Sequence, residues 1–286
     1  MSEPLSVTTR RCLGAGQPAI VVTVAEARGS TPQAAGARMI ITADAIAGTV
    51  GGGRLEFEAM LRAREMIATN TAEDRLDMPL GPAVGQCCGG RVVLILRRAD
   101  DAAVQALAAL EQQERQQAPQ VAVFGAGHVG RALVQALAPL PLRILWCDSR
   151  PEALAAPTWD NVETRTSDAL DLIARCRPGA AAVVLTHSHA LDYAIAEAAL
   201  RRDDLAYVGL IGSQTKRRRF ERWFMARGGT ATALARLVCP IGDTGVIDKR
   251  PPIIAAFAAT EILRVLLRQD TEVAANAQVE RWQETV

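Results

Sequence analysis

Apolar residues follow two different patterns along this chain. In the first third they form short β-branched runs at 19–25 (AIVVTVA), 38–42 (RMIIT) and 91–96 (RVVLIL), which predict strands. Between the second and third, LEFEAMLRAREMIA carries a helical stripe through Phe57, Met60, Leu61 and Ile67. Residues 1–98 therefore read as a small α/β domain. In DDAAVQALAALEQQERQQAPQ, Asp100 and Asp101 can cap a helix whose tail runs into glutamines before Pro119. Residues 99–119 read as a helical connector.

From residue 120 the pattern changes. VAVF, RILWCD, AAVVLT, AYVGLIG and RLVCPIG are short runs apolar on both faces, most of them separated by helical stretches such as VGRALVQALA and LDYAIAEAALRR. That alternation predicts a doubly wound parallel sheet of Rossmann-like type over 120–286. The expected fold class is α/β throughout, a small N-terminal domain followed by the Rossmann-like one.

The first strand of this second domain is followed by Gly125, Gly127 and Gly130 in G-x-G-x-x-G spacing, with His128 inside the turn and a helix behind it. Such glycines serve a tight turn, a close approach to phosphate and close helix–strand packing. Asp148 ends the next strand, 18 residues after Gly130, where a ribose-binding carboxylate would stand. Polar clusters follow the other strands: His187, Ser188, His189 and Asp192; Ser213, Gln214 and Lys216; Asp243 and Thr244. Ligands of open parallel sheets bind beyond the carboxyl ends of the strands, so these clusters imply one shared crevice. The three histidines of the chain, His128, His187 and His189, all fall in these loops. His187-x-His189-x-x-Asp192 suits a helix cap as well as a zinc site, for which it lacks a clear third and fourth ligand. Lys216-Arg217-Arg218-Arg219 reads as a solvated helix face, with Lys216 reaching toward a phosphate.

Two glycine-dense loops mark the first domain. Gly51, Gly52 and Gly53 precede a helix, where their N–H groups would either form an anion-binding nest or simply make the turn. Gln86-Cys87-Cys88-Gly89-Gly90 places adjacent thiols in a glycine frame beside Arg91, with no acid close in sequence to offset its charge. A cation lowers a thiol pKa, and thiolates are soft metal ligands and sulfur nucleophiles. The bland alternative is a pair of buried thiols in a turn.

Composition removes several classes. With 32 Lys+Arg against 31 Asp+Glu, no broad basic footprint for nucleic acid exists. No secretory signal and no apolar run of membrane-spanning length is visible, so a cytoplasmic protein without membrane association is expected. The six cysteines form no C-x-x-C pair and are expected to stay reduced.

The segment 25–58, AEARGSTPQAAGARMIITADAIAGTVGGGRLEFE, resembles the first block of the XdhC/CoxI family, the xanthine dehydrogenase accessory proteins. LGPAVGQCCGGRV resembles that family's signature loop, and VFGAGHVGRAL, THSHALDYAIAEAALRR, YVGLIGSQTKRRRF and CPIGDTG resemble its Rossmann half. The resemblance covers nearly the whole chain in order. It implies a chaperone that binds the molybdenum cofactor (molybdopterin carrying Mo), protects it and delivers it to apo-xanthine dehydrogenase, in cooperation with a cysteine desulfurase. Arg54 stands where CO-dehydrogenase-type relatives tend to have cysteine, which favours the xanthine dehydrogenase branch.

The expected cofactor contacts of the N-terminal half are Gln86, Cys87, Cys88, Gly89 and Gly90 with Gly51, Gly52 and Gly53, the two thiols touching molybdenum. Those of the Rossmann half are Gly125, Gly127, His128, Gly130, Asp148, His187, His189, Ser213 and Lys216. A homodimer is the default assembly. No catalytic machinery for turnover is evident. Two alternatives stay open: an NAD(P)-dependent oxidoreductase with His187 or His189 as acid–base, and a metal-dependent hydrolase using His187, His189 and Asp192.

Overall fold

The computed structural model describes residues 3–80, 89–155 and 159–283, with backbone alone beyond residue 267. The chain divides into two compact units at Gln116/Gln117.

The N-terminal unit contains α1 (Leu5–Gly14), β1 (Ile20–Arg28), β2 (Arg38–Ile41), β3 (Ile46–Gly48), α2 (Gly53–Thr69), β4 (Glu73–Pro79), β5 (Arg91–Arg98) and α3 (Asp101–Gln117). Its five strands form one sheet in the order β3-β2-β1-β5-β4, every neighbour antiparallel. Strand alternation sends Ile20, Val22, Val24, Leu94 and Leu96 to one face, under Leu55, Ala59, Ala63 and Met66 of α2. Ala19, Val21 and Ile40 face the other way, onto Leu107 and Ala103 of α3 and Leu5 and Leu13 of α1.

The segment expected as a connector is thus largely a helix that covers this sheet. Glu111 of α3 also accepts hydrogen bonds from the Ser6 amide (3.0 Å) and hydroxyl (2.5 Å). Of the stripe expected on α2, Met60 and Ile67 pack partly buried against the core, and the other two members are corrected. Phe57 and Leu61 are half-exposed, at 53% and 50%, while Leu55, Ala59, Ala63 and Met66 are sealed. Two alanines between Leu55 and Met66 on the inner face let the helix approach the sheet, and Phe57 and Leu61 stand to the flank.

The C-terminal unit contains β6 (Gln120–Phe124), α4 (His128–Leu137), β7 (Arg143–Cys147), β8 (Val162–Arg165), α5 (Ala169–Arg175), β9 (Ala181–Val184), α6 (His189–Leu200), β10 (Tyr207–Leu210), α7 (Gln214–Ala226), α8 (Ala231–Ala235), β11 (Leu237–Val238) and α9 (Pro251–Gln283). Its six strands lie in the order β11-β10-β9-β6-β7-β8, all parallel. Counted from β6, this is the 3-2-1-4-5-6 order of the doubly wound fold, and the order reverses between β6 and β9. Val121, Val123, Ile144, Trp146 and Val183 pack under α4 and α9. Ala122, Phe124, Leu145, Ala182 and Val184 pack under α5, α6 and α7. Burial on both faces explains why these strands read as unbroken apolar runs.

Candidate functional site

The reversal point of the parallel sheet is built around the glycine turn. Gly125, at φ +120°, gives its N–H to the Cys147 carbonyl (2.7 Å), and its own carbonyl accepts the indole N–H of Trp146 (3.1 Å). A Cβ at Gly125 would lie 2.2 Å from the Leu185 carbonyl oxygen, so β6 and the end of β9 meet backbone to backbone. A Cβ at Gly130 would lie 2.2 Å from the Gly125 carbonyl oxygen and 2.6 Å from Leu185, so the third glycine admits α4 to the sheet. Gly127 differs. A Cβ there meets nothing within 4 Å, and its φ of −70° suits any residue. The chain's own packing gives no reason for glycine at 127, whereas a ligand approaching the head of α4 does. There the leading N–H groups of the helix have no intrahelical acceptor and carry its positive dipole end. Gly127 and His128 are both exposed.

Asp148 closes the turn from the β7 side. Its carboxylate is 2% exposed and accepts from the Ala126 amide (2.7 Å), the Arg150 amide (3.0 Å) and Arg150 Nε and Nη2 (2.9 Å each). Burial alone would raise its pKa. The bonds from the Arg150 side chain, the Ala126 amide and the Arg150 amide outweigh burial and hold it at about 2. Arg150 was not singled out by sequence reasoning, although an arginine two residues past the strand-ending acid is a legible signal.

On the far side of the reversal point, Ser188 caps α6 and Ser213 caps α7, accepting from the Leu191 amide (3.4 Å) and the Lys216 amide (3.3 Å). Lys216 was expected to reach a phosphate. Its ammonium instead donates to buried Asp192 (2.5 Å) and to the Ile211 carbonyl (2.8 Å), with the side chain 11% exposed. The other oxygen of Asp192 accepts from the amide (2.9 Å) and hydroxyl (2.8 Å) of Thr186. This buried pair ties the start of α7 to the start of α6 and the end of β9. His187 and His189 are exposed. Among the described residues, no group of three or more His, Cys, Asp or Glu is placed to hold a metal ion.

In the N-terminal unit, Gly51, Gly52 and Gly53 stand at φ +129°, +77° and +62°. The anion beside them is the chain's own. Glu56, from the first turn of α2, accepts from the Thr49 hydroxyl and the Val50 amide (3.2 Å). Burial raises its pKa, but these bonds and those from the Gly52 and Gly51 amides bring it below the ordinary glutamate value. A Cβ on Gly51 would also run into Pro32 at 2.5 Å.

Gln86, Cys87 and Cys88 lie outside the described residues. Gly89 and Gly90 are described: a Cβ at Gly90 would lie 2.5 Å from the Ser30 carbonyl oxygen and 2.6 Å from that of Arg28. Gly90 therefore lies directly against the backbone at the end of β1 and the loop that follows it. Arg91 was expected to act as an uncompensated cation. It makes a two-pronged ion pair with Asp77 of β4, at 2.6 and 2.5 Å, an acid distant in sequence and adjacent across the sheet. Three thiols of the Rossmann unit are unsuited to thiolate chemistry, since burial pushes Cys147, Cys176 and Cys239 up to about 11.

Fold and site together define a protein with a Rossmann-type C-terminal unit whose glycine turn leaves the head of α4 exposed, preceded by an antiparallel α/β unit. Residues 121–262 match the family model of the XdhC Rossmann domain, and residues 12–77 match that of the XdhC and CoxI family. The chain belongs to the XdhC/CoxI family. The uncharacterized protein YqeB of Escherichia coli (strain K12) is 28% identical over 263 residues, covering 87% of this chain and 43% of that protein. The chain thus spans less than half the length of this relative. A crystal structure described as a xanthine dehydrogenase from Bacillus halodurans has the same fold, with a TM-score of 0.73 at 17% identity over 92% of this chain and 96% of that one. Among the described residues, no helix is long and apolar enough to cross a membrane.

Proposed function

We propose that this protein is an XdhC-type accessory protein that holds a molybdopterin-type molybdenum cofactor and passes it to apo-xanthine dehydrogenase, in cooperation with a cysteine desulfurase. Family membership supports the accessory role. The observation that carries cofactor binding is Gly127, whose missing side chain serves no packing purpose in the chain and leaves the head of α4 open to a phosphate. Molybdopterin is a phosphate-bearing anionic pterin, and the residues present fit its anionic end: the amides after Gly127, with Arg150 beside them. Cys87 and Cys88 are the soft donors in this reading. They would shield the metal or guide its sulfuration. When bound, the cofactor supplies the redox-active metal that the recipient enzyme uses, and the chain's own part is to bind, orient and exclude water.

The test is to purify the full chain from a host that makes molybdenum cofactor and to quantify bound pterin and molybdenum. The wild type is expected to carry both in comparable amounts. The Cys87→Ser/Cys88→Ser double variant, with an unchanged circular dichroism spectrum, is expected to lose most of the molybdenum. Equal retention by that variant sinks the thiol assignment, and wild-type protein free of pterin under these conditions sinks the carrier reading.

A second reading is favoured by the strand order and the glycine turn: the crevice at the β6/β9 reversal point accepts a dinucleotide of the NAD(P) class.

A further inference from the structure

Taken as a dinucleotide site, the crevice also carries residues that discriminate between dinucleotides, and their role rests on that second reading. In a dinucleotide site the acid ending the second strand ordinarily accepts hydrogen bonds from the two hydroxyls of the adenosine ribose. A carboxylate offers about four acceptor positions. At Asp148 four donors already occupy them: the Ala126 amide, the Arg150 amide, Nε and Nη2. A ribose diol arriving here would have to displace charge-assisted bonds from a carboxylate that is 2% exposed.

Arg150 covers that acid and presents the opposite chemistry. Its side chain is 42% exposed, and Nη1 has no hydrogen-bond partner among the described residues. The pairing with Asp148 fixes the plane of the guanidinium, so its outer edge is held ready at the end of β7. Arg131, which follows the glycine turn, is directed elsewhere, donating to the Ala153 carbonyl (2.9 Å). The acids that face Arg150 are Asp148 beneath it and Glu152 beside it. The buried Asp148 meets no ligand, so an incoming group contacts the cation first.

We infer that Arg150 reads a phosphate ester on the adenosine ribose, so that the crevice takes NADP(H) in preference to NAD(H). Asp148 is then a positioning residue that holds both the glycine turn and the guanidinium. A bidentate arginine–phosphate contact replaces the diol–carboxylate contact that this site cannot offer.

NADP⁺ and NAD⁺ differ only in the ribose 2′-phosphate, so titrating the full-length protein with each by calorimetry isolates the contact. NADP⁺ is expected to bind at least about tenfold more tightly, as a charge-assisted contact supplies. In Arg150→Ala the two affinities should converge to within about threefold, and the preference of the wild type should shrink as salt is raised. Because the wild-type comparison needs no variant, a folding defect in Arg150→Ala leaves the inference testable. Equal binding of both nucleotides, or tighter NAD⁺, overturns the role of Arg150 while leaving the crevice a dinucleotide site. Binding of neither overturns the dinucleotide reading and this inference with it, and leaves the molybdopterin proposal to its own test.

Discussion

At the scale of single residues, the glycine turn separates structural from ligand-facing positions. Gly130→Ala places a methyl group 2.2 Å from the Gly125 backbone carbonyl, in a turn held between the ends of β7 and β9. It should destabilise the C-terminal unit by about 2 kcal/mol or more, as overpacking does. Gly127→Ala meets open space at an ordinary φ and should leave the denaturation midpoint unchanged while weakening any phosphate-bearing ligand. Denaturant titration and ligand titration of the two variants check this, and matched losses of stability would contradict it.

Asp148 gives a pH prediction at the same scale. Its folded pKa of about 2 lies below the ordinary 3.8, so the clasp stabilises the fold fully above about pH 4 and loses that contribution as pH falls toward 2. The contribution is about 2 kcal/mol. The stability gap between wild type and Asp148→Asn, read from denaturant midpoints, should be widest at pH 5–7 and narrow toward pH 3. A gap that stays constant across this range contradicts the assignment. The sequence named Asp148, Lys216 and Gly51–Gly53 as polar or permissive positions of interest, because residue type and spacing are local information. The pairings were harder to read: Arg150, two residues from Asp148, could have been found by spacing, whereas the pairing of Lys216 with Asp192 and of the glycine run with Glu56 is chosen by side-chain geometry that only the fold sets.

At the scale of elements, the strands of the parallel sheet were legible because both faces are buried and no polar residue interrupts them. The polar edge strands β4 and β8 were not, although β11, at the other edge of the parallel sheet, was read within RLVCPIG. β4 (EDRLDMP) alternates charged outward residues with Leu76 and Met78, and its charges blunt a free sheet edge. β8 (VETR), at the edge of the parallel sheet, is equally polar. The face of α2 was misread in part because apolar bulk was weighted above spacing: the buried line runs through Leu55, Ala59, Ala63 and Met66, and its two alanines carry almost no hydrophobic signal. Leu55→Ala should therefore cost about 2–5 kcal/mol, whereas Phe57→Ala should cost about 1 kcal/mol or less. Thermal or chemical denaturation of the two variants measures it, and the reverse ranking would restore the stripe through Phe57.

At the scale of the whole molecule, the change of pattern near residue 120 located the change of architecture, since periodicity reports which faces are covered. Strand order was beyond it. Nothing in an apolar run states its neighbour, and the 3-2-1-4-5-6 order is reached only when the whole unit packs its helices on both faces of the sheet. The antiparallel order of the N-terminal sheet was likewise hidden, because no apolar run marks β4, whose segment EDRLDMP is mostly charged. The acid facing Arg91 was missed for the same reason: Asp77 lies in that segment and comes alongside only when β4 pairs with β5.

The contact between Glu56 and the glycine run has a further consequence. A loop whose amides wait for an outside anion is held together only while its visitor is present. Here the chain's own groups take that part: the Glu56 carboxylate accepts from the Val50 amide and the Thr49 hydroxyl from the Gly51 amide. The tight bend before α2 is therefore preloaded by the chain itself, and its shape persists in the empty protein as it would in a loaded one.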